Sequence, residues 1–108
     1  MISYDDFAKL EITIGEIQAV EVVEDADKLL RLTVDFGEAA PRQIISGIRE
    51  YFEDPQTLVG VRCPFVTNLE PRVIRGFESQ GMIVAAHQDE LFALLTPHRE
   101  LPVGARVI

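Results

Sequence analysis

The sequence predicts an all-β fold, a small Greek-key barrel of five strands. Short apolar segments with strand-like alternation recur along the chain, and glycines or prolines separate them. A segment with helical turns interrupts this series between the third and the fourth strand. Five strands with that interruption describe an OB-fold, although the pattern alone leaves another small barrel open.

A short helix and a long bent strand begin the chain. Ser3, followed by two aspartates and a phenylalanine, indicates the N-cap and first turn of a helix. Residues 11–24 then alternate between apolar and polar, with a change of phase after Ile14. That change predicts a bulge or a sharp bend near Gly15 within one strand.

The second and third strands are separated by a loop. A turn at residues 25–28 precedes residues 30–36, whose strict alternation is the clearest strand signal in the sequence. A hairpin loop at residues 37–41 leads to a short third strand at 42–46. Gly47 ends that strand, and we expect it to adopt a backbone conformation that other residues disfavour.

The second half of the chain is less regular. Residues 48–52 predict a helical turn, and the apolar residues 61–67 predict a strand. Pro64 within that strand indicates a bulge or an edge position. Residues 68–76 predict a loop that carries two arginines. Two further short strands and an irregular tail follow, at residues 81–86, 91–95 and 97–108.

The charge of the chain argues against nucleic-acid binding, because such domains are usually basic. The 108 residues, which by length form one domain (1–108), carry 10 basic and 18 acidic side chains and a net charge of −8. Seven of the cations, however, lie between Lys28 and Arg75, while acids dominate the first quarter. A basic patch on an acidic body would bind RNA with strong salt dependence.

Several functional classes lack support in the sequence. No apolar run is long enough to span a bilayer, and the N-terminus has aspartates where an export signal needs positive charge. The single cysteine, Cys63, predicts a buried structural thiol in a reducing cytoplasm. Together with His87 and His98 it offers no metal-ligand spacing. No catalytic constellation is present, so we expect a cytoplasmic, non-enzymatic protein without metal or cofactor.

Three motifs occur in order along the chain. They are DADKLL at residues 25–30, RQIISGI at residues 42–48 and NLEPRVIRGFESQGM at residues 68–82. In this order they resemble the tRNA-binding domain family, which includes stand-alone dimeric tRNA-binding proteins and the C-terminal module of many methionyl-tRNA synthetases. The resemblance implies an OB-fold with short flanking helical and C-terminal strand segments. It also implies tRNA as partner, a homodimer and an association with an aminoacyl-tRNA synthetase.

The candidate tRNA-binding residues belong to these motifs, and we expect them to converge on one face of the barrel. They are Lys28, Arg42, Asn68, Arg72, Arg75, Ser79 and Met82. The guanidinium forks of the two loop arginines suit phosphate, whereas the alternative is surface pairing with Glu70 or Glu78.

The resemblance implies contact with tRNA at Ser79 and Met82, yet Met82 could equally enter the core. Ser46 also has two possible roles, because its hydroxyl could contact a ligand or could be satisfied within a turn. The chain departs from the family pattern at Glu24 and Asp25, where a His-Pro pair is common, and this adds negative charge beside Lys28.

The sequence therefore predicts a tRNA-binding protein that recognises the folded shape and backbone. Aromatic residues are few, and Tyr51 is the one candidate for base stacking. Two alternatives stay open. One is a peptide-binding export chaperone, which shares this fold and dimer and whose basic clients would suit an acidic surface. The other is a protein-docking module attached to a synthetase. Retention of the SGI and SQGM motifs favours tRNA.

Overall fold

The computed structural model describes all 108 residues and contains one short helix, two 3₁₀ turns and nine strands. The helix is α1 (Tyr4–Ala8), and the 3₁₀ turns are Arg49–Tyr51 and Pro55–Leu58. The strands are β1 (Ile12–Val22), β2 (Leu30–Asp35), β3 (Arg42–Ser46), β4 (Arg62–Val66), β5 (Arg72–Ile74), β6 (Phe77–Ser79), β7 (Met82–Ile83), β8 (Ala85–Gln88) and β9 (Leu91–Leu94).

Five of these strands form one antiparallel sheet in the order β3-β2-β1-β4-β7, which curls into a nearly closed barrel. Two hairpins, β5–β6 and β8–β9, form separate two-stranded sheets beside it. The 3₁₀ turns lie between the third and the fourth strand, where the sequence predicts helical turns. The prediction of an all-β OB-fold barrel is confirmed.

The barrel closes between β3 and the segment that joins β6 to β7. The backbone N–H of Gln80 donates to the carbonyl of Gln43 at 2.8 Å, and the N–H of Gln43 donates to Gln80 Oε1 at 2.9 Å. The N–H of Ile45 donates to Ser79 Oγ at 3.0 Å. Side chains thus replace part of a strand ladder here, because β7 has only two residues.

The bend in β1 lies further along the strand than the sequence predicts. The register between β1 and β2 shifts between Ile17 and Ala19, not near Gly15. Gly15 has a different role, since a Cβ atom there would lie 2.5 Å from Cε1 of Phe36 and 2.6 Å from Cγ1 of Val34. The glycine lets β2 and its extension pack directly against the β1 backbone.

A single apolar cluster fills the barrel, and Phe65 on β4 is among its largest fully buried side chains. The Phe36 and Phe65 rings meet edge to face, with centroids 5.3 Å apart. Cys63 is fully buried in the same cluster, as predicted, and burial raises the pKa of its thiol to about 12.

Pro64 occupies neither a bulge nor a sheet edge, so that prediction is wrong. It pairs with Ile14 in regular register, and β4 lies between β1 and β7. Its carbonyl accepts from the N–H of Val84, so its nitrogen also faces the β7 side. Because β7 is so short, a missing N–H on that side costs the sheet little.

The predicted loop at residues 68–76 contains most of a β-hairpin. Strands β5 and β6 pair through Arg72 with Ser79, and a two-residue turn, Arg75–Gly76, connects them. Both turn residues have positive φ, 52° and 83°, which is the pattern of a type I′ turn. The sequence gives little warning of it, because arginine is an unusual residue at the first turn position.

The chain termini are tied to the barrel. The Ser3–Asp6 capping box begins α1, which confirms the predicted N-cap. Asn68 then joins α1 to the end of β4, accepting from the N–H of Glu11 at 2.8 Å and donating to the carbonyl of Lys9 at 2.7 Å. The C-terminal tail runs beside β1 and bridges it at Thr13 and Arg106. No helix has the length and apolar character needed to cross a membrane.

Replacing Gly15 with alanine should destabilise the fold by about 1–3 kcal/mol, because the new methyl group would collide with Phe36 and Val34. Chemical denaturation monitored by circular dichroism measures this change. Gly47→Ala is the matched control, since a Cβ atom there meets only the Lys28 carbonyl oxygen at 3.9 Å. Equal stability of the two variants would contradict the packing role of Gly15.

The Cys63 thiol should react with iodoacetamide far more slowly in the native protein than in denaturant. Burial keeps the pKa of this thiol near 12, so almost no thiolate is present at pH 8. Mass spectrometry of the alkylated protein gives both rates. Equal labelling of native and unfolded protein would contradict the buried position.

Candidate nucleic-acid interface

A groove of about 420 Å³ opens between the end of β3, the hairpin β5–β6 and the strands β7 to β9. Ten of its fourteen lining residues are hydrophobic, among them Ile45, Ile48, Ile74 and Met82. None of the fourteen carries a carboxylate, whereas each of four other surface clefts has at least one. In a chain of net charge −8, this groove is a carboxylate-free surface.

Most cations of the chain are engaged in internal contacts. Six of the ten lysines and arginines donate a hydrogen bond or form an ion pair within the protein, namely Lys9, Arg31, Arg42, Arg49, Arg62 and Arg106. The four cations without such a contact are Lys28, Arg72, Arg75 and Arg99. Neither Arg72 nor Arg75 pairs with Glu70 or Glu78, so the surface-pairing interpretation finds no support.

Two of the unpaired cations border the groove. Arg72 lines it directly, on the exposed hairpin strand β5. The backbone of Lys28 lies beside the groove, because the next residue, Leu29, lines the groove and the Lys28 carbonyl oxygen would be 3.9 Å from a Cβ atom on Gly47.

Arg75, a third unpaired cation, lies in the turn of the hairpin and has different surroundings. It lines a neighbouring cleft of about 520 Å³ with three carboxylates, those of Glu21, Glu24 and Asp25. The structure therefore places it beside acidic groups, and only its neighbour Ile74 reaches the groove.

Arg42 is committed to the barrel. Its guanidinium donates to both carboxylate oxygens of Glu38 at 2.8 Å and to the carbonyls of Thr67 and Gln80 at 2.6 and 3.2 Å. The hydrogen bond from Arg42 lowers the pKa of Glu38, and the same bond raises the pKa of Arg42. The arginine holds β3 to the end of β4, so any contact with RNA would use only its remaining exposed part.

The other predicted residues divide between structure and surface. Ser79 is 5% exposed, and its hydroxyl accepts from Ile45 and donates to the Gly81 carbonyl at 3.1 Å. Asn68 makes the tie to α1 described above. Met82, in contrast, is 50% exposed and lines the groove, so it does not enter the core.

Ser46, which the sequence left open between two interpretations, faces the groove. It is 8% exposed, yet its hydroxyl makes no hydrogen bond within the protein. Every fully buried side-chain nitrogen or oxygen in the protein has a hydrogen-bond partner. Because the Ser46 hydroxyl has none, its oxygen must be accessible from the groove.

The expectation of an unusual backbone conformation at Gly47 is wrong, because its φ is not positive. Its small size instead leaves the groove rim open.

An aromatic pair forms one side of the groove. The rings of Tyr51 and Phe92 stack with centroids 4.3 Å apart and planes 4° from parallel, and Phe52 meets Phe92 edge to face at 5.8 Å. Tyr51 is thus held in one orientation while 37% of it stays exposed. Phe92 could not be assigned from sequence to this site, because it comes from the distant hairpin β8–β9.

Comparison with known proteins supplies the family. Residues 12–106 match the family described as a putative tRNA binding domain. The chain is 48% identical over 108 residues to the methionine–tRNA ligase of Deinococcus radiodurans, and 42% identical over 107 residues to that of Lactococcus lactis. These alignments cover 99% and 98% of the chain but only 16% of each ligase, so the chain spans a small part of these relatives.

Two solved structures of the same fold belong to proteins with different names. The chain superimposes on a MetRS-related protein from Pyrococcus horikoshii with a TM-score of 0.91 and 36% identity, covering 100% of this chain and 98% of that one. The chaperone CsaA from Bacillus anthracis gives a TM-score of 0.89 and 28% identity, with 100% and 99% coverage. Since the family match extends over residues 12–106, the chain belongs to the tRNA-binding domain family.

Proposed function

We propose that this chain is a non-catalytic module that binds tRNA through the carboxylate-free groove and the cations Arg72 and Lys28 beside it. The observation that carries the proposal is the distribution of charge. The chain has an excess of eight acids, yet the groove has no carboxylate among its lining residues and includes the unpaired guanidinium of Arg72. Phosphate contacts supply most of the affinity of sequence-independent RNA binding, so such a surface suits RNA.

Arg72 is the strongest individual candidate for a phosphate contact. It has no internal hydrogen bond or ion pair to give up, and its planar fork can bind two phosphate oxygens at once. Lys28 adds a second positive charge at the rim. We propose a smaller contribution from Arg75, because the carboxylates of its cleft repel phosphate.

The proposed target is the shared folded shape of tRNA and its backbone. Only one aromatic pair lines the groove, which is too little for reading a base sequence along a single strand. Because the relatives are methionine–tRNA ligases, we propose that the module works as a domain or associated cofactor of an aminoacyl-tRNA synthetase, or as a stand-alone tRNA-binding protein. One domain (1–108) and a cytoplasmic location remain predictions.

A peptide-binding chaperone is the second candidate, because the similarity to CsaA covers the whole chain. The groove could accept apolar side chains of an unfolded peptide. A preference for basic clients, however, has no support at this site, since the carboxylates lie elsewhere. The unpaired arginine favours an anionic ligand.

A homodimer also forms part of the proposal. On strand β9, Phe92 and Leu94 pack against the core, whereas Leu91 is 74% exposed, and Leu95, which follows the strand, is 42% exposed. The tail ends in Val107 and Ile108, which are exposed as well. A second copy related by a two-fold axis would cover these apolar side chains.

Arg72→Ala should weaken binding of total tRNA by about tenfold and reduce the salt slope of the affinity by about one unit, because one phosphate contact is lost. Fluorescence anisotropy over a series of salt concentrations measures both quantities. Arg99→Ala is the matched control, since Arg99 is also exposed and unpaired but lies in a different cleft. Equal loss in both variants would indicate diffuse charge and would contradict the groove.

Binding of tRNA and binding of unfolded peptide should differ in their response to charge reversal at Arg72. If the groove binds tRNA as proposed, tRNA binds at low salt and Arg72→Glu abolishes that binding. The chaperone alternative predicts peptide binding that neither tRNA nor Arg72→Glu affects. Absence of tRNA binding at low salt would reject the proposed function.

Light scattering at micromolar concentration should give the mass of a dimer, and Leu91→Lys should shift the protein toward monomer. The lysine places a charge on the outward face of β9 while the inward residues Phe92 and Leu94 remain. Glu90→Gln, at the adjacent exposed turn, makes the same change of +1 in net charge and is the matched control. A monomer mass for the unmodified chain would contradict the dimer.

A further inference from the structure

We propose that the groove holds one unpaired nucleotide of the bound RNA. Its base lies between the apolar walls, Ser46 Oγ hydrogen-bonds the polar edge of the base, and Arg72 binds the adjacent phosphate. This inference rests on the proposed function and adds a specific contact to recognition of shape and backbone.

The hydroxyl of Ser46 is the first observation. Ser46 is 8% exposed, and its hydroxyl makes no hydrogen bond within the protein although the residue lines the groove. Ser79, equally buried on the opposite side of the barrel closure, uses its hydroxyl for two protein hydrogen bonds. The Ser46 oxygen is therefore accessible from the groove, where its hydroxyl is free to hydrogen-bond a bound ligand.

The walls of the groove suit a flat aromatic ring. Ile45, Ile48 and Met82 present apolar surface, and Tyr51 contributes an aromatic ring whose orientation Phe92 fixes by stacking at 4.3 Å. A ring held in this way loses little conformational entropy when a base packs against it. Stacking of a base on an aromatic side chain is among the main contributions to binding of single-stranded nucleic acid.

The size and charge of the groove limit the class of ligand that it can bind. A volume of about 420 Å³ lies within the range of small-ligand sites. An apolar peptide side chain would contact the apolar walls but would interact with neither the Ser46 hydroxyl nor the Arg72 guanidinium. A nucleotide uses all three features, because it combines a flat face, a polar edge and a phosphate.

The Ser46 hydroxyl also sets the expected specificity. A hydroxyl both donates and accepts, so it can hydrogen-bond either kind of group on a base edge. We therefore infer that the groove accepts different bases with similar affinity. Such bases occur in the loops and single-stranded ends of folded RNA, where proteins contact them most often.

Four RNA probes test this proposal by fluorescence anisotropy at low salt. They are a tetramer of adenosine, a tetramer of uridine, an abasic tetramer with the same number of phosphates, and a blunt-ended duplex. Both base-containing tetramers should bind at least about tenfold more tightly than the abasic tetramer and should compete with tRNA. The duplex should compete poorly with either tetramer.

Two variants locate the contact. Ser46→Ala removes no hydrogen bond within the protein, so its melting temperature should not change, while binding of both tetramers should weaken about threefold to tenfold. Gly47→Val narrows the rim, where an added Cβ atom has room, and should weaken the tetramers further. Neither variant should alter the affinity for the abasic tetramer by as much.

Equal affinity for the abasic and base-containing tetramers would overturn the nucleotide site. An unchanged affinity in Ser46→Ala would overturn the role of the hydroxyl. If tRNA binds with a normal salt slope in either case, the proposed function stands and only this inference fails. If tRNA does not bind at all, the proposed function fails.

Discussion

Closure of the barrel by side-chain hydrogen bonds is the constraint on which the candidate site depends. Strand β7 has two residues, so Ser79 and Gln80 complete the pairing with β3 through Ile45 and Gln43. This arrangement brings the RQIISGI and SQGM segments together across one seam. The groove opens beside that seam, with Met82 on one side of it and Ser46 at the end of β3. Two motifs that are more than thirty residues apart thus form a single structural unit.

The distribution of charge follows from the same architecture. Acidic residues of β1 hold arginines in ion pairs, as Glu16 does with Arg62 and Glu21 with Arg31. The seam itself uses Arg42, whose charge Glu38 neutralises. Arg72 lies outside these networks, on the exposed hairpin strand β5. A net acidic protein can therefore present a local surface for an anion, because net charge describes the whole molecule and a contact depends on its neighbours.

Strand alternation and glycine spacing predict most of the barrel, including β3 at its observed bounds and the capped helix α1. The β5–β6 hairpin was missed because its turn uses Arg75, whose positive φ is rare outside glycine and asparagine. The bulge in β1 was misplaced because Gly15 reflects close packing against Phe36 and not a break in pairing. The site was only partly predictable, since a motif shows which residues lie nearby but not which hydroxyl is free. Only the folded structure shows that the Ser79 hydroxyl is used in hydrogen bonds within the protein and that the Ser46 hydroxyl is not.

We propose that the carboxylate-free groove is the surface that contacts RNA. Amide chemical shifts of the isotope-labelled protein, recorded during titration with total tRNA at low salt, test it most directly. We expect the largest changes in chemical shift at Gly47, Ile74 and Met82, with little change at Arg99 or along α1. Changes centred on the cleft of Glu21, Glu24 and Arg75, with the groove unaffected, would contradict it.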